Sequence, residues 1–145
     1  MANLAETIRK ITSNHIKNDG ALLGQNLQDS GYCAGTIPTD IFDNKNVINL
    51  PTSDSSNPGI VCGFALSGKR PIYLVRYQGF ILYNACSLVN YAAKSKAMWD
   101  FPCPVFIRAV GMEDGIGPVA SHMHHGLIAR MPGIKVVAPM SPNEY

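Results

Sequence analysis

Charge is what this chain has least of. Asp, Glu, Lys and Arg make up 15% of its 145 residues, against about a quarter in an ordinary soluble domain. A small domain with so few charges is expected to cover much of its surface with something else. Twelve Lys and Arg against ten Asp and Glu leave a net charge of +2. No basic run appears among them, which argues against nucleic acid as the main partner. No apolar run reaches the roughly 18 residues that a membrane-spanning helix requires. The opening segment MANLAETIRKITSNHIKNDG has no apolar signal core either. The expected location is therefore cytoplasmic, with no membrane partner. The four cysteines (Cys33, Cys62, Cys86 and Cys103) form no CxxC pair. Cys62 and Cys86 sit in apolar runs and read as reduced thiols.

What is present is alternation. Leu4, Ile8 and Ile11 predict one face of a helix over residues 3–18, stopped by Gly20. Ala21-Leu22-Leu23 predicts a short strand that opens into Gly24-Gln25-Asn26. Residues 29–46 are rich in Gly, Asp, Asn and Thr and carry little pattern, and 47–50 predict a second strand. SDSSNPGIVCGFALSG then signals a helix, with capping polar residues, Pro58 in its first turn and Gly68 as its stop. Residues 71–75 predict a strand, 80–99 a long helix with Leu88, Ala92 and Ala93 inward, and 104–107 a buried strand. A short helix over 122–130 and a strand over 134–137 complete the series. Ser141-Pro142-Asn143-Glu144 has the form of a capping box at which a further helix would begin. Apolar strands alternating with helices predict an α/β domain: a mostly parallel sheet with helices on both faces. At this length one domain suffices, with about 70% of the unfolded surface buried.

Four segments, in order, resemble the pyrimidine-binding domain of the transketolase-like thiamine diphosphate enzymes. They are LPTSD with GFALSGKRPI (50–72), VRYQGF with VNYAAK (75–94), PVFIRAVG (104–111) and MPGIKVVAPMSP (131–142). The similarity is greatest to the beta subunit of the 2-oxo acid dehydrogenase first component, with transketolase beside it. The resemblance implies that residues 1–145 are a single pyrimidine-binding domain lacking its last helix or strand and any C-terminal domain. It also implies that thiamine diphosphate is shared with a separate diphosphate-binding subunit, in a heterodimer or heterotetramer. That subunit would hold Mg²⁺ through a Gly-Asp-Gly segment and a downstream Asn. This chain lacks the pattern, since Glu113-Asp114-Gly115 has no such Asn after it, and no metal ligands are expected of it.

The family places a Glu between the second strand and the following helix, where its carboxyl meets the pyrimidine ring nitrogen. Counting from Val47 and Pro51 puts that position on Asp54; counting back from Gly59-Ile60-Val61 puts it on Asn57. Asp54 keeps the carboxyl and is the expected catalytic and cofactor-binding residue, although an Asp there also reads as a helix N-cap. The resemblance puts aromatic residues under the pyrimidine at Tyr77 and Phe80, both of which also read as core. It puts Gln25 and Asn26 near the cofactor or the partner, where turn chemistry accounts for them nearly as well. In ASHMHHG, a His facing the substrate would handle protons. An ungapped count puts Ala120 on that position, and a small shift gives His122, with His124 and His125 beside it.

Two function classes follow. The first is the pyrimidine-binding subunit of an enzyme acting on a small 2-oxo acid or ketose, by decarboxylation or two-carbon transfer, inactive alone. The second is a catalytically impaired structural or regulatory partner of such a subunit, suggested by the missing Glu and by Ala120. The small residues Ala92 and Ala93 in VNYAAK mark the expected packing surface for the partner.

Overall fold

The computed structural model describes residues 3–29, 31–112, 115–121 and 123–145. Helix α1 spans Leu4–Lys17, strand β1 Ala21–Gly24, strand β2 Val47–Asn49 and helix α2 Asn57–Leu66. Strand β3 (Pro71–Tyr77) leads through a short turn into α3 (Ile81–Ser87), a π-helical turn at Leu88–Ala92 and α4 (Ala93–Trp99). Strand β4 (Phe106–Val110) and helix α5 (His125–Ile128) follow. Among the described residues the strands form one sheet in the order β2-β1-β3-β4, and every pairing is parallel.

Parallel strands covered on both faces should be apolar on successive residues, and that is how β1 and β3 divide their side chains. Leu22, Ile72 and Leu74 pack with Ile16 of α1 and with Leu27, Tyr32, Cys33, Ile37 and Ile41 from the loop after β1. Ala21, Leu23, Tyr73 and Val75 face the other way, against Val61 of α2, Ile81 of α3 and Ile128 of α5. The α/β layering expected from the alternation is therefore present. The loop over residues 27–46 carried no periodicity, yet its apolar residues form half of one core.

The start of α1 is a complete capping box. The Asn3 side chain accepts from the Glu6 N–H at 2.8 Å, and Glu6 accepts from the Asn3 N–H at 3.2 Å. The end of α2 is a Schellman turn in which Gly68 adopts φ 88° and the Lys69 N–H bonds the Phe64 carbonyl.

Several expectations need correction. The buried face of α1 is Thr12, Ser13 and Ile16, whereas Ile11 is exposed. The long helix is a rod interrupted by the π turn, with Leu88 buried and Ala92 and Ala93 half-buried. The last helix is shorter than expected, and β4 begins at Phe106, which is exposed because β4 is an edge of the sheet. Residues 134–137 form no strand, and Val137 is 73% exposed. Gly133, at φ 82°, lies so close to the Ala93 carbonyl that a Cβ would collide with it. Gly133 therefore packs directly on the first residue of α4. Ala93, expected to receive a partner, receives Gly133 of its own chain. Residues 141–145 form a turn stabilised by half of the expected box, in which Glu144 Oε2 accepts from the Met140 and Ser141 N–H groups.

Beneath the sheet, the fully buried Asn84 accepts from the Tyr73 hydroxyl at 2.8 Å and donates to the Phe80 carbonyl at 2.7 Å. Replacing Asn84 with Ala leaves the buried phenol without its acceptor, and the expected loss of stability is about 1–3 kcal/mol. A urea midpoint unchanged from wild type would show that the bond does not hold β3 to α3. Burial pushes the Tyr32 phenol up to about 12, helped by Cys33, Asp54 and Asp29 and opposed by Arg76. The raised value means the folded state holds its proton longer than the unfolded chain does. Stability is therefore complete below pH ~10 and is lost as pH climbs toward 12. Tyr32→Phe is expected to lessen that loss in denaturation curves compared between pH 9 and 11.

Candidate functional site

With all strands parallel, their carboxyl ends share one edge of the sheet. The chain leaves β1 toward β2 on one side, while β3 lies on the other. That reversal of strand order makes the ends of β1 and β3 a topological switch point, the place at which α/β sheets bind ligands. Gln25 follows β1 directly, Asp54 lies in the turn after β2, and Tyr77 ends β3.

The first two meet. Gln25 Nε2 donates to Asp54 Oδ1 at 3.2 Å, and both residues are half-buried. Asp54 does not cap α2: Ser56 holds the cap position, and no side chain bonds there. Asn57, the other candidate for the family's Glu position, is wholly buried. Its Nδ2 donates to the Pro51 carbonyl at 2.9 Å, folding the turn back on itself, and its Oδ1 has no partner. Asn26 is exposed, with a left-handed backbone (φ 52°) that starts the following loop, and it does not join the Gln25–Asp54 pair.

Tyr77 and Phe80 stack with ring centroids 6.3 Å apart and planes inclined by 29°. Both are half-buried, and together they form an aromatic shelf at the end of β3. Asn84 fixes the Phe80 end of it. Between the rings, Gln78 Oε1 accepts from the His124 N–H at 2.6 Å. Space around this turn is tight. A Cβ on Gly79 would lie 2.9 Å from the Val119 carbonyl oxygen, and one on Gly111 would lie 2.5 Å from Gln78 Nε2. Gln78 thus ties the end of β3 to the loop that carries the histidines, a role no sequence signal announced. His124 caps α5 and His125 begins it. His122, together with Glu113 and Asp114, lies outside the described residues. Ala120 is buried. Among the described residues no three His, Cys, Asp or Glu side chains gather as metal ligands.

Three further residues complete the neighbourhood. The pairing of β3 with β4 shifts register between Val75 and Tyr77, so Arg76 is the extra residue of a β-bulge. Its guanidinium lies over two rings, 5.5 Å from the Tyr32 centroid and 5.3 Å from that of Tyr77. Arg108 of β4 donates from Nη2 to Thr36 Oγ1 at 3.0 Å, and its buried Nη1 has no acceptor. Asp54 lies near enough to Tyr73 and Tyr32 for its charge to raise both phenols, although burial is the larger cause in each. Tyr32 comes from the patternless loop, and an arginine at a strand end looks like ordinary solvation, so neither was foreseen.

Residues 16–145 match the family described as transketolase, pyrimidine binding domain. The 2-oxoisovalerate dehydrogenase subunit beta of Bacillus subtilis is 29% identical over 105 residues, covering 70% of this chain and 32% of that one. The pyruvate dehydrogenase E1 component subunit beta of Acholeplasma laidlawii is 27% identical over 127 residues, covering 79% and 38%. Its counterpart from Bacillus subtilis is 31% identical over 109 residues, covering 70% and 32%. The chain thus spans about a third of the length of the curated relatives it matches. With the parallel α/β sheet, a match over nearly the whole chain makes this protein a member of the transketolase pyrimidine-binding-domain family.

Proposed function

We propose that this chain supplies the pyrimidine-binding half of a thiamine diphosphate site in an enzyme acting on a 2-oxo acid or ketose. The observation that carries the reading is the pairing of Gln25 with Asp54 at the edge of the sheet where β3 also delivers the Tyr77–Phe80 shelf. An aminopyrimidine is a flat heteroaromatic ring with nitrogen donors and acceptors at its edge. An aromatic shelf and a carboxyl group suit such a ring, which is the fit the cofactor requires. When bound, thiamine diphosphate supplies an acidic ring carbon able to attack the carbonyl of the substrate. In this reading Asp54 hydrogen-bonds the pyrimidine nitrogen, Gln25 holds the carboxyl in place, and Tyr77 and Phe80 carry the ring. His122 is the proposed proton-handling residue at the substrate.

The diphosphate and its Mg²⁺ would be held by a second subunit. The relatives are named as beta subunits, which supports a chain that works beside another. So does the apolar surface of the helical rod. Tyr83, Tyr91, Met98, Trp99 and Phe101 are all more than half exposed. Tyr91, Trp99 and Phe101 line a cleft of about 290 Å³ with Cys62, Leu66, Ser95 and Cys103. Exposed apolar clusters of this kind mark protein interfaces.

The tests use this chain reconstituted with a diphosphate-binding subunit. Asp54→Ala is expected to lower 2-oxo acid decarboxylation by about 10²–10⁴-fold, the range for loss of a positioned acid or base. Unchanged turnover would remove Asp54 from the chemistry. Tyr77→Ala is expected to weaken cofactor binding by about 2–10-fold in calorimetry. A wild-type pair that binds no thiamine diphosphate and decarboxylates nothing would favour a structural partner, the reading that Ala120 and the missing Glu suggest. Trp99 is the single tryptophan, so its emission should move to shorter wavelength when the partner subunit is added. An unmoved spectrum on complex formation would place the interface elsewhere.

A further inference from the structure

We propose that Arg76, with Arg108 behind it, forms a docking point for a compact oxyanion, a carboxylate or phosphoryl group carried by the substrate. As a statement about substrate the inference rests on the thiamine reading above; as a statement about anion binding it does not.

The argument begins with the shape of the guanidinium. It is planar, and its five N–H donors point outward in that plane. Tyr32 and Tyr77 engage Arg76 through contacts centred 5.5 and 5.3 Å from their rings. An aromatic ring attracts the cation but is a far weaker hydrogen-bond acceptor than an oxyanion, so these contacts leave the N–H donors with capacity for one. Among the described residues no hydrogen bond takes up those donors. The ion pairs there are Lys17–Asp40, Lys69–Asp19 and Lys96–Asp100, and none involves Arg76 or Arg108. Asp54 and Asp29 are near enough to affect Tyr32, yet neither reaches within 4.0 Å of the Arg76 nitrogens. Asp54 is engaged by Gln25 instead.

The mounting is rigid. The bulge at Arg76 aims the side chain off the regular strand, and bulges beside sites serve to redirect a residue. Tyr32 is 7% exposed and packs into the core through a turn in which Cys33 and Ala34 take left-handed conformations, with φ 49° and 55°. Such backbone persists only where its surroundings over-determine it. Arg108 stands close by. Both arginines act on the Cys33 thiol, lowering it against the larger upward push of burial. The Nη1 of Arg108 is buried with no acceptor. Arg76 thus stands at the end of β3 with its donors free, while Arg108 of β4, opposite Leu74, is engaged by Thr36 Oγ1 and the Cys33 sulfur and adds positive charge nearby.

The test is side-chain ¹⁵Nε–Hε spectroscopy of the 145-residue chain, titrated with sodium pyruvate and, separately, with sodium phosphate at ionic strength fixed by chloride. The Arg76 resonance should shift saturably with at least one probe, and the tighter probe identifies the group as carboxylate or phosphoryl. Arg76→Gln, an exposed substitution, should weaken that binding at least ~10-fold. Arg76→Lys should weaken it several-fold, because an ammonium cannot offer two parallel donors from a stacked plane. A linear drift with either salt, or equal affinity in Arg76→Gln, would overturn the proposal. The reconstituted pair separates the two readings. Cofactor binding with a substrate KM unmoved by Arg76→Gln would sink the anion site and leave the thiamine reading standing. Saturable anion binding in a chain whose pair takes up no thiamine diphosphate would do the reverse.

Discussion

Parallel pairing is the constraint from which the site follows. Once β1, β2 and β3 run in one direction, the residues that end them must emerge on one edge, however far apart they lie in sequence. Gln25 and Asp54 meet for that reason, and Tyr77 emerges on the same edge. Their separation along the chain is set by the return connections, not by the chemistry. The strand order then decides where on that edge a ligand can enter. The path from β1 leads to one neighbour while β3 occupies the other side, and the chain vacates the space between them.

Rigidity around that space comes from polar groups that work in pairs. Asn84 joins the Tyr73 hydroxyl to the Phe80 carbonyl, so the shelf is anchored to the strand beneath it. Gln78 joins the strand end to the histidine loop, and Asn57 closes the turn that presents Asp54. Each is a carboxamide that reaches backbone across a short distance. A carboxamide can donate and accept without bringing charge into a buried place, which is consistent with so weakly charged a chain.

Much of this was legible in the residues. The capping box at Asn3, the stop at Gly68 and the continuous apolar run of β3 are local signals, and local signals survive folding. The layered α/β class followed from them. The face of α1 was misread because Thr12 and Ser13 are buried beside Ile16, so apolar spacing alone pointed one position off. The absent strand at 134–137 has apolar, β-branched residues in plenty, but a strand also needs a neighbour to pair with, and that segment pairs with none of the described strands, a tertiary fact with no local mark. Of the residues near the ends of the strands, Gln25, Asp54, Tyr77 and Phe80 were candidates by resemblance. Tyr32, Gln78 and Arg108 could not, since each acquires its role from a neighbour more than twenty residues away.

The outer side of β4 has a consequence for life outside an assembly. A strand with one free side offers a row of amide and carbonyl groups to whatever extended segment comes by, and proteins blunt such templates with proline and charge. Pro102 and Pro104 precede β4 and Arg108 lies within it, so the exposed ribbon is short and interrupted. A chain carrying this ribbon runs less risk of self-adhesion than its apolar rod alone would suggest.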